Sequence, residues 1–136
     1  MDTNKHFIDK LAWVHIEDRK LLVVRARGKD MFYTVGGKRR AGETDKEALI
    51  REVKEEVGVS LLPTTISYVN TFEAQAHGKP EGTIVRLTCY MAHFLGEPTP
   101  MSEIEELGWF TTEDKKRATI PMQKLLTHLE EKNLID

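Results

Sequence analysis

The chain has 136 residues, 40% of them hydrophobic and 31% charged, which is the size and balance of one globular domain over residues 1–136 with a sizeable core. Its 20 Lys and Arg against 22 Asp and Glu leave a formal charge of −2, which excludes the broad positive field that long nucleic acid requires. The lone Cys89 excludes an intrachain disulfide, and the absence of an apolar leader or a membrane-length run reads as a cytoplasmic protein with no membrane contact.

Residues 1–9 are mixed in character and read as a loose lead-in. Leu11–Ile16 is a strand candidate, Glu17-Asp18-Arg19 a turn, and Lys20–Arg27 a second strand, so the two form a hairpin. Arg25 and Arg27 share one face of that strand, either solvated or with one of them reaching a substrate phosphate. Gly28-Lys29-Asp30 forms a loop. Phe32–Val35 is a short strand entering Gly36-Gly37, where the backbone can turn sharply and approach a ligand closely. Lys38 follows, placed either in solvent or against phosphate charge.

Thr44 with Glu47 three residues later is a capping box, so a helix starts near Asp45 and stops at Gly58. Leu49, Val53 and Val57 form its apolar stripe, widened by Ala48 and Ile50. Glu52, Glu55 and Glu56 fall together on another face. Like charges at this spacing repel, and a hard divalent cation such as Mg²⁺ or Mn²⁺ reverses the sign of that interaction. The alternative for such a cluster is a solvated acidic face.

Beyond the helix, Leu61-Leu62-Pro63 turns the chain, and Ile66–Ala76 and Thr83–Leu95 read as an antiparallel pair joined through His77–Gly82. Glu73, Gln75 and His77 alternate onto one face, toward solvent or a polar cleft. Cys89 lies in an apolar strand pattern as a packing residue. Gly96–Pro100 is a loop, Glu103, Glu105 and Glu106 an acidic segment, and Trp109-Phe110 a short strand entering the core. Pro121, Leu125, Leu126 and Leu129 mark an amphipathic C-terminal helix packed on the sheet. Trp13, Phe32, Tyr33 and Phe72 are aromatic side chains that either stack on a base or pack in the core. The order of elements suggests a mixed sheet between helical layers.

The stretch Gly37, Glu43, Arg51-Glu52, Val53, Glu55-Glu56, Gly58-Val59 resembles the signature of the Nudix hydrolases at every fixed position. One departure is Val35, where the family usually has proline before the two glycines. The resemblance implies an α/β/α sandwich, a mixed sheet between helices. It implies Mg²⁺- or Mn²⁺-dependent cleavage of a nucleoside diphosphate linked to a moiety X, a small-molecule substrate. Glu52, Glu55, Glu56 and the Gly36 carbonyl are the implied metal ligands, with Glu103, or else Glu106, adding one from outside the helix. It also favours Arg25 at phosphate. Glu43 and Arg51 are read as a pair that fixes the loop and orients the glutamates, and Glu52 as the general base unless a loop residue, Glu103 or Glu106, serves. Homodimers are common in the family. A MutT-type nucleoside triphosphatase, releasing a monophosphate and pyrophosphate from a (d)NTP or modified (d)NTP, is the generic expectation. A nucleotide-sugar, ADP-ribose or dinucleoside polyphosphate hydrolase comes second, and a non-catalytic nucleotide sensor is the alternative of another class.

Overall fold

A computed structural model describes residues 6–136. The strands are β1 (His6–Trp13), β2 (Ile16–Glu17), β3 (Lys20–Ala26) and β4 (Tyr33–Gly37), followed by α1 (Asp45–Val57). Then come β5 (Ser60–Leu61), β6 (Ser67–Gln75), β7 (Thr83–Met91), β8 (Phe94–Leu95), β9 (Ile104–Phe110) and α2 (Ile120–Glu131). The main sheet runs β2-β3-β4-β1-β7-β6 with β9 on β3, and β5 and β8 pair separately. It is mixed, because β1 lies parallel to β7 and antiparallel to β4.

Side-chain alternation along β1 and β3 explains the layering. Leu11, Trp13, Leu22 and Val24 face one way and pack with Ala48, Leu49, Val53 and Val57 of α1. Ala12, Val14, Leu21 and Val23 face the other way and pack with Met122, Leu125, Leu126 and Leu129 of α2. Leu11–Val14 and Leu21–Val24 are therefore covered on both faces, which is why these stretches read as unbroken apolar runs. Each fully buried Leu or Val contributes about 1.5–3 kcal/mol to this arrangement. The expected sandwich of a mixed sheet between helices is the one observed.

Several local expectations change. The lead-in read over residues 1–9 falls partly outside the described residues, but His6–Asp9 belong to β1, paired in register with Thr83–Arg86. Pairing to β7, a contact distant in sequence, overrides their mixed composition. The first expected strand breaks before Ile16, because Asp18 and Arg19 take left-handed φ of 51° and 63° and β2 pairs across that turn with β3. The expected strand Thr83–Leu95 ends at Met91, since Phe94 and Leu95 leave the main sheet to pair with β5. Glu105 and Glu106 lie on β9 itself, and Trp109 is 38% exposed while Phe110 is buried.

Candidate active site

The two glycines do not interrupt β4; they finish it, with Ala12 opposite Gly36 and Leu11 opposite Gly37. Gly36 has φ +145°, and a Cβ there would collide with the Leu11 carbonyl, so only glycine fits beside β1. A Cβ on Gly37 would occupy the space of the Glu52 carboxylate. The close approach read from the sequence is thus an approach to the helix glutamates, made by strand backbone. Val35, in the position where the family has proline, is fully buried against α1.

Helix α1 begins with the expected capping box: Glu47 N–H donates to Thr44 Oγ1 at 3.1 Å, and Thr44 N–H donates to Glu47 Oε1 at 2.9 Å. It ends at Gly58, whose N–H donates to the Lys54 carbonyl at 3.0 Å and whose φ of 74° turns the chain out of the helix. Arg51 is the hub of the face between these ends. Its guanidinium donates to both oxygens of Glu43 at 2.7 and 2.8 Å, to Glu52 Oε1 at 2.6 Å and to the Lys38 carbonyl at 3.0 Å. Glu43 also accepts from the Arg40 N–H at 2.7 Å. The Arg51 side chain beside it, then that backbone N–H, holds the Glu43 carboxyl at about 2. Arg51 and Glu43 therefore bridge the Lys38–Glu43 loop to the helix, as the sequence suggested.

Glu56 is the innermost carboxylate. It accepts from the Gly36 N–H at 2.9 Å and lines a cavity of about 210 Å³ with Lys10, Gly36, Gly37 and Glu103. Burial, reinforced by the Glu52 and Glu103 carboxylates, pushes Glu56 up to about 8 against the pull of the Gly36 N–H and Lys10. Burial also raises Glu52, with Arg51 opposing and Glu55 adding to it. Glu55 is exposed, with Arg40 and Arg51 each 3.6 Å away.

Among the described residues, no three acidic, histidine or cysteine side chains already converge as a ligand set. Each carboxylate instead turns to a local donor: Glu52 to Arg51, Glu56 to the Gly36 N–H. The donors nonetheless fit a hard divalent cation. They are all oxygens, and the half-buried Glu56 sits among like charges that a cation would relieve. Glu52, Glu55, Glu56, Glu103 and the Gly36 carbonyl are the groups that would hold it.

Glu103 reaches this cavity because its loop is fastened to the end of α1. Thr99 N–H donates to the Val57 backbone carbonyl at 2.9 Å, Met101 N–H to the Glu56 backbone carbonyl at 3.0 Å, and the Ser102 hydroxyl to the Glu55 backbone carbonyl at 3.1 Å. These bonds satisfy carbonyls that a helix end leaves without partners. No local sequence signal announces them.

Arg25 is not brought to the cavity. Its neighbours Val24 and Ala26 line the wall, so strand alternation turns Arg25 the other way. It binds Glu106 at 2.6 Å, the Lys29 carbonyl at 2.9 Å and, more distantly, Glu105 at 3.6 Å, which also removes Glu106 from the candidate ligands. The cation the sequence did not single out is Lys10. It lines the cavity, and burial first, then Lys38, lowers its basicity. Its signal was a lysine two residues beyond Ile8 and two before Ala12, on one strand face.

A second cleft of about 520 Å³ adjoins this cavity, sharing Lys10, Lys29, Tyr33 and Thr34, and takes in Lys38. Of the four candidate aromatics, Trp13 and Phe32 are buried in the core and Phe72 packs toward α2, leaving Tyr33 on the cleft wall. His77 lines this cleft as well, whereas Glu73 pairs with Arg86 at 2.7 Å. Cys89 is fully buried and its thiol is pushed up to about 12 by burial, so it packs and does not react.

The NUDIX domain family model matches residues 9–129. A curated relative, the ADP-ribose pyrophosphatase of Methanocaldococcus jannaschii, is 25% identical over 113 residues, covering 81% of this chain and 65% of its own length. The crystal structure of a MutT NUDIX hydrolase from Burkholderia pseudomallei superposes with a TM-score of 0.74 at 23% identity, covering 92% of this chain and 99% of that one. The solution structure of the E. coli ORF135 protein gives 0.74 at 23% identity, covering 95% and 92%. No helix among the described residues is long and apolar enough to cross a membrane.

Proposed function

The chain belongs to the NUDIX domain family, and on that premise we propose that it hydrolyses a phosphoanhydride bond in a nucleoside diphosphate linked to a moiety X, with Mg²⁺ or Mn²⁺ bound. The observation that carries this reading is Glu56, half-buried among like charges in a cavity that Lys10 and Lys29 also line. The bound ion neutralises phosphate oxygens and lowers the pKa of a water. The protein contributes position and charge, which is most of what phosphoryl transfer needs. Gly36 N–H orients Glu56, Arg51 orients Glu52, and Lys10 and Lys38 take up phosphate charge.

For the general base we favour Glu103 over Glu52. Glu52 is tied to Arg51 at 2.6 Å, whereas Glu103 lines the cavity without an ion pair among the described residues. A Glu103 carboxylate oxygen takes the proton of the attacking water, and the leaving phosphate departs toward the lysines.

For the substrate we favour a larger X over a nucleoside triphosphate. The curated relative is named for ADP-ribose, and the adjoining cleft of about 520 Å³ provides a wall beyond the anhydride. ADP-ribose is the first compound to assay, beside a (d)NTP. Product release in Mg²⁺, absent in Glu56→Gln with an unchanged circular dichroism spectrum, is the expected result. Wild-type protein that binds nucleotides without turnover would instead make it a sensor.

A further inference from the structure

The larger cleft is unusually cationic for a chain of net charge −2. Lys10, Lys29, Lys38 and Lys79 line it together with His77, and Asp30 is the only carboxylate on its wall among the described residues. Every ion pair among those residues is made by an arginine or by His15, and none by a lysine. The lysines of the cleft thus line it without an ion pair to any carboxylate among those residues.

Lys79 lines the larger cleft but not the carboxylate cavity. It also sits on a built turn. The Gln75 amide donates to the carbonyls of Lys79 at 3.2 Å and Pro80 at 2.8 Å, and its oxygen accepts from the Gly82 N–H at 3.0 Å. Gly78, with φ 72°, makes the reversal that this clamp closes. A neutral base or sugar placed here would leave the Lys79 ammonium group facing it without a counter-charge. An anion would supply that charge.

We propose that X itself carries a phosphate group, held by Lys79 in the part of the cleft that the carboxylate cavity does not share. This rests on the hydrolase reading above. ADP-ribose and its analogue phosphorylated on the terminal ribose form the test pair. The wild-type protein should favour the phosphorylated compound by about tenfold in kcat/KM, expressed in KM, at low ionic strength. Lys79→Gln should bring that ratio toward one, and Lys79→Arg should keep most of it. A wild-type ratio of one or below, or a ratio unchanged in Lys79→Gln, overturns the proposal while leaving the hydrolase reading intact. If neither compound is cleaved, the hydrolase reading fails, and calorimetric titration with inorganic tripolyphosphate still decides this one. About tenfold weaker binding to Lys79→Gln supports the site, and equal binding overturns it.

Discussion

Gly37 lies directly against the Glu52 carboxylate, so closely that a Cβ at position 37 would fall on the Glu52 side chain. The strand end and the helix face are thereby locked at one separation. The obstructing atoms belong to the tip of a flexible side chain, so Gly37→Ala displaces Glu52 and spares the fold. We expect a Tm within a few degrees of wild type and a loss of about 10²-fold in kcat/KM, the usual effect of misplacing a site group by an ångström. Gly36→Ala provides the contrast. There a Cβ meets the Leu11 backbone, so the strand must move and Tm must fall. Equal Tm losses in the two variants would contradict this division.

Arg51 bonds Glu43, Glu52 and the Lys38 carbonyl at once, and its side chain is 18% exposed. Arg51→Ala should lower both Tm and turnover, because Glu52 loses its orientation and Glu43 its partner. Arg51→Lys should recover only part of each, since an ammonium cannot reproduce the fork that grips Glu43. Thermal melts and Mg²⁺ kinetics on the same preparations check it. A lysine variant equal to wild type would remove the claim that fork geometry matters.

How much of this was legible beforehand follows from the range of the interactions. The capping box, the Gly58 stop and the Arg51–Glu43 spacing are local, so residue order along one helix was enough to read them. His6–Asp9 were misread because only pairing with β7 makes them strand. Arg25 was misread because the faces of β3 depend on which side α1 covers, a tertiary fact. Lys10 and Lys79 meet at one cleft although they are far apart in sequence, and no spacing rule joins them. Glu103 was singled out by resemblance, and the bonds that bring its loop to the helix were invisible in the sequence.

The Glu56 carboxyl, pushed up to about 8 by burial, gives a pH signature with a definite sign. A raised value means that the folded state holds the proton more tightly than the unfolded chain. The stability from this group is complete below the ordinary glutamate value of about 4.3 and is lost as pH rises through about 8. In EDTA, Tm should therefore fall between pH 5.5 and 9, and Glu56→Gln should flatten that fall. A divalent cation competes with the same proton, so Mg²⁺ should raise Tm more at pH 8.5 than at pH 5.5. Parallel melting curves for wild type and variant, with and without Mg²⁺, would rule out Glu56 as the group responsible.

The Ser102 hydroxyl donates to the Glu55 carbonyl at 3.1 Å, and Ser102 itself has φ 53°. Ser102→Ala removes this bond and leaves one helix-end carbonyl to water, at a cost of about 0.5–1.5 kcal/mol. The Thr99 and Met101 N–H bonds remain, so the loop loosens without detaching. Turnover should drop modestly, because Glu103 is held less firmly across the cavity from Glu56. Glu103→Gln, by contrast, keeps all three anchors and removes only the carboxylate, so it should leave Tm unchanged while cutting kcat by about 10²–10⁴-fold if that group takes the proton. Rate and melting temperature together separate the roles: Ser102→Ala should lower both modestly, and Glu103→Gln the rate alone. A Glu103→Gln enzyme that retains its rate would return the base to Glu52.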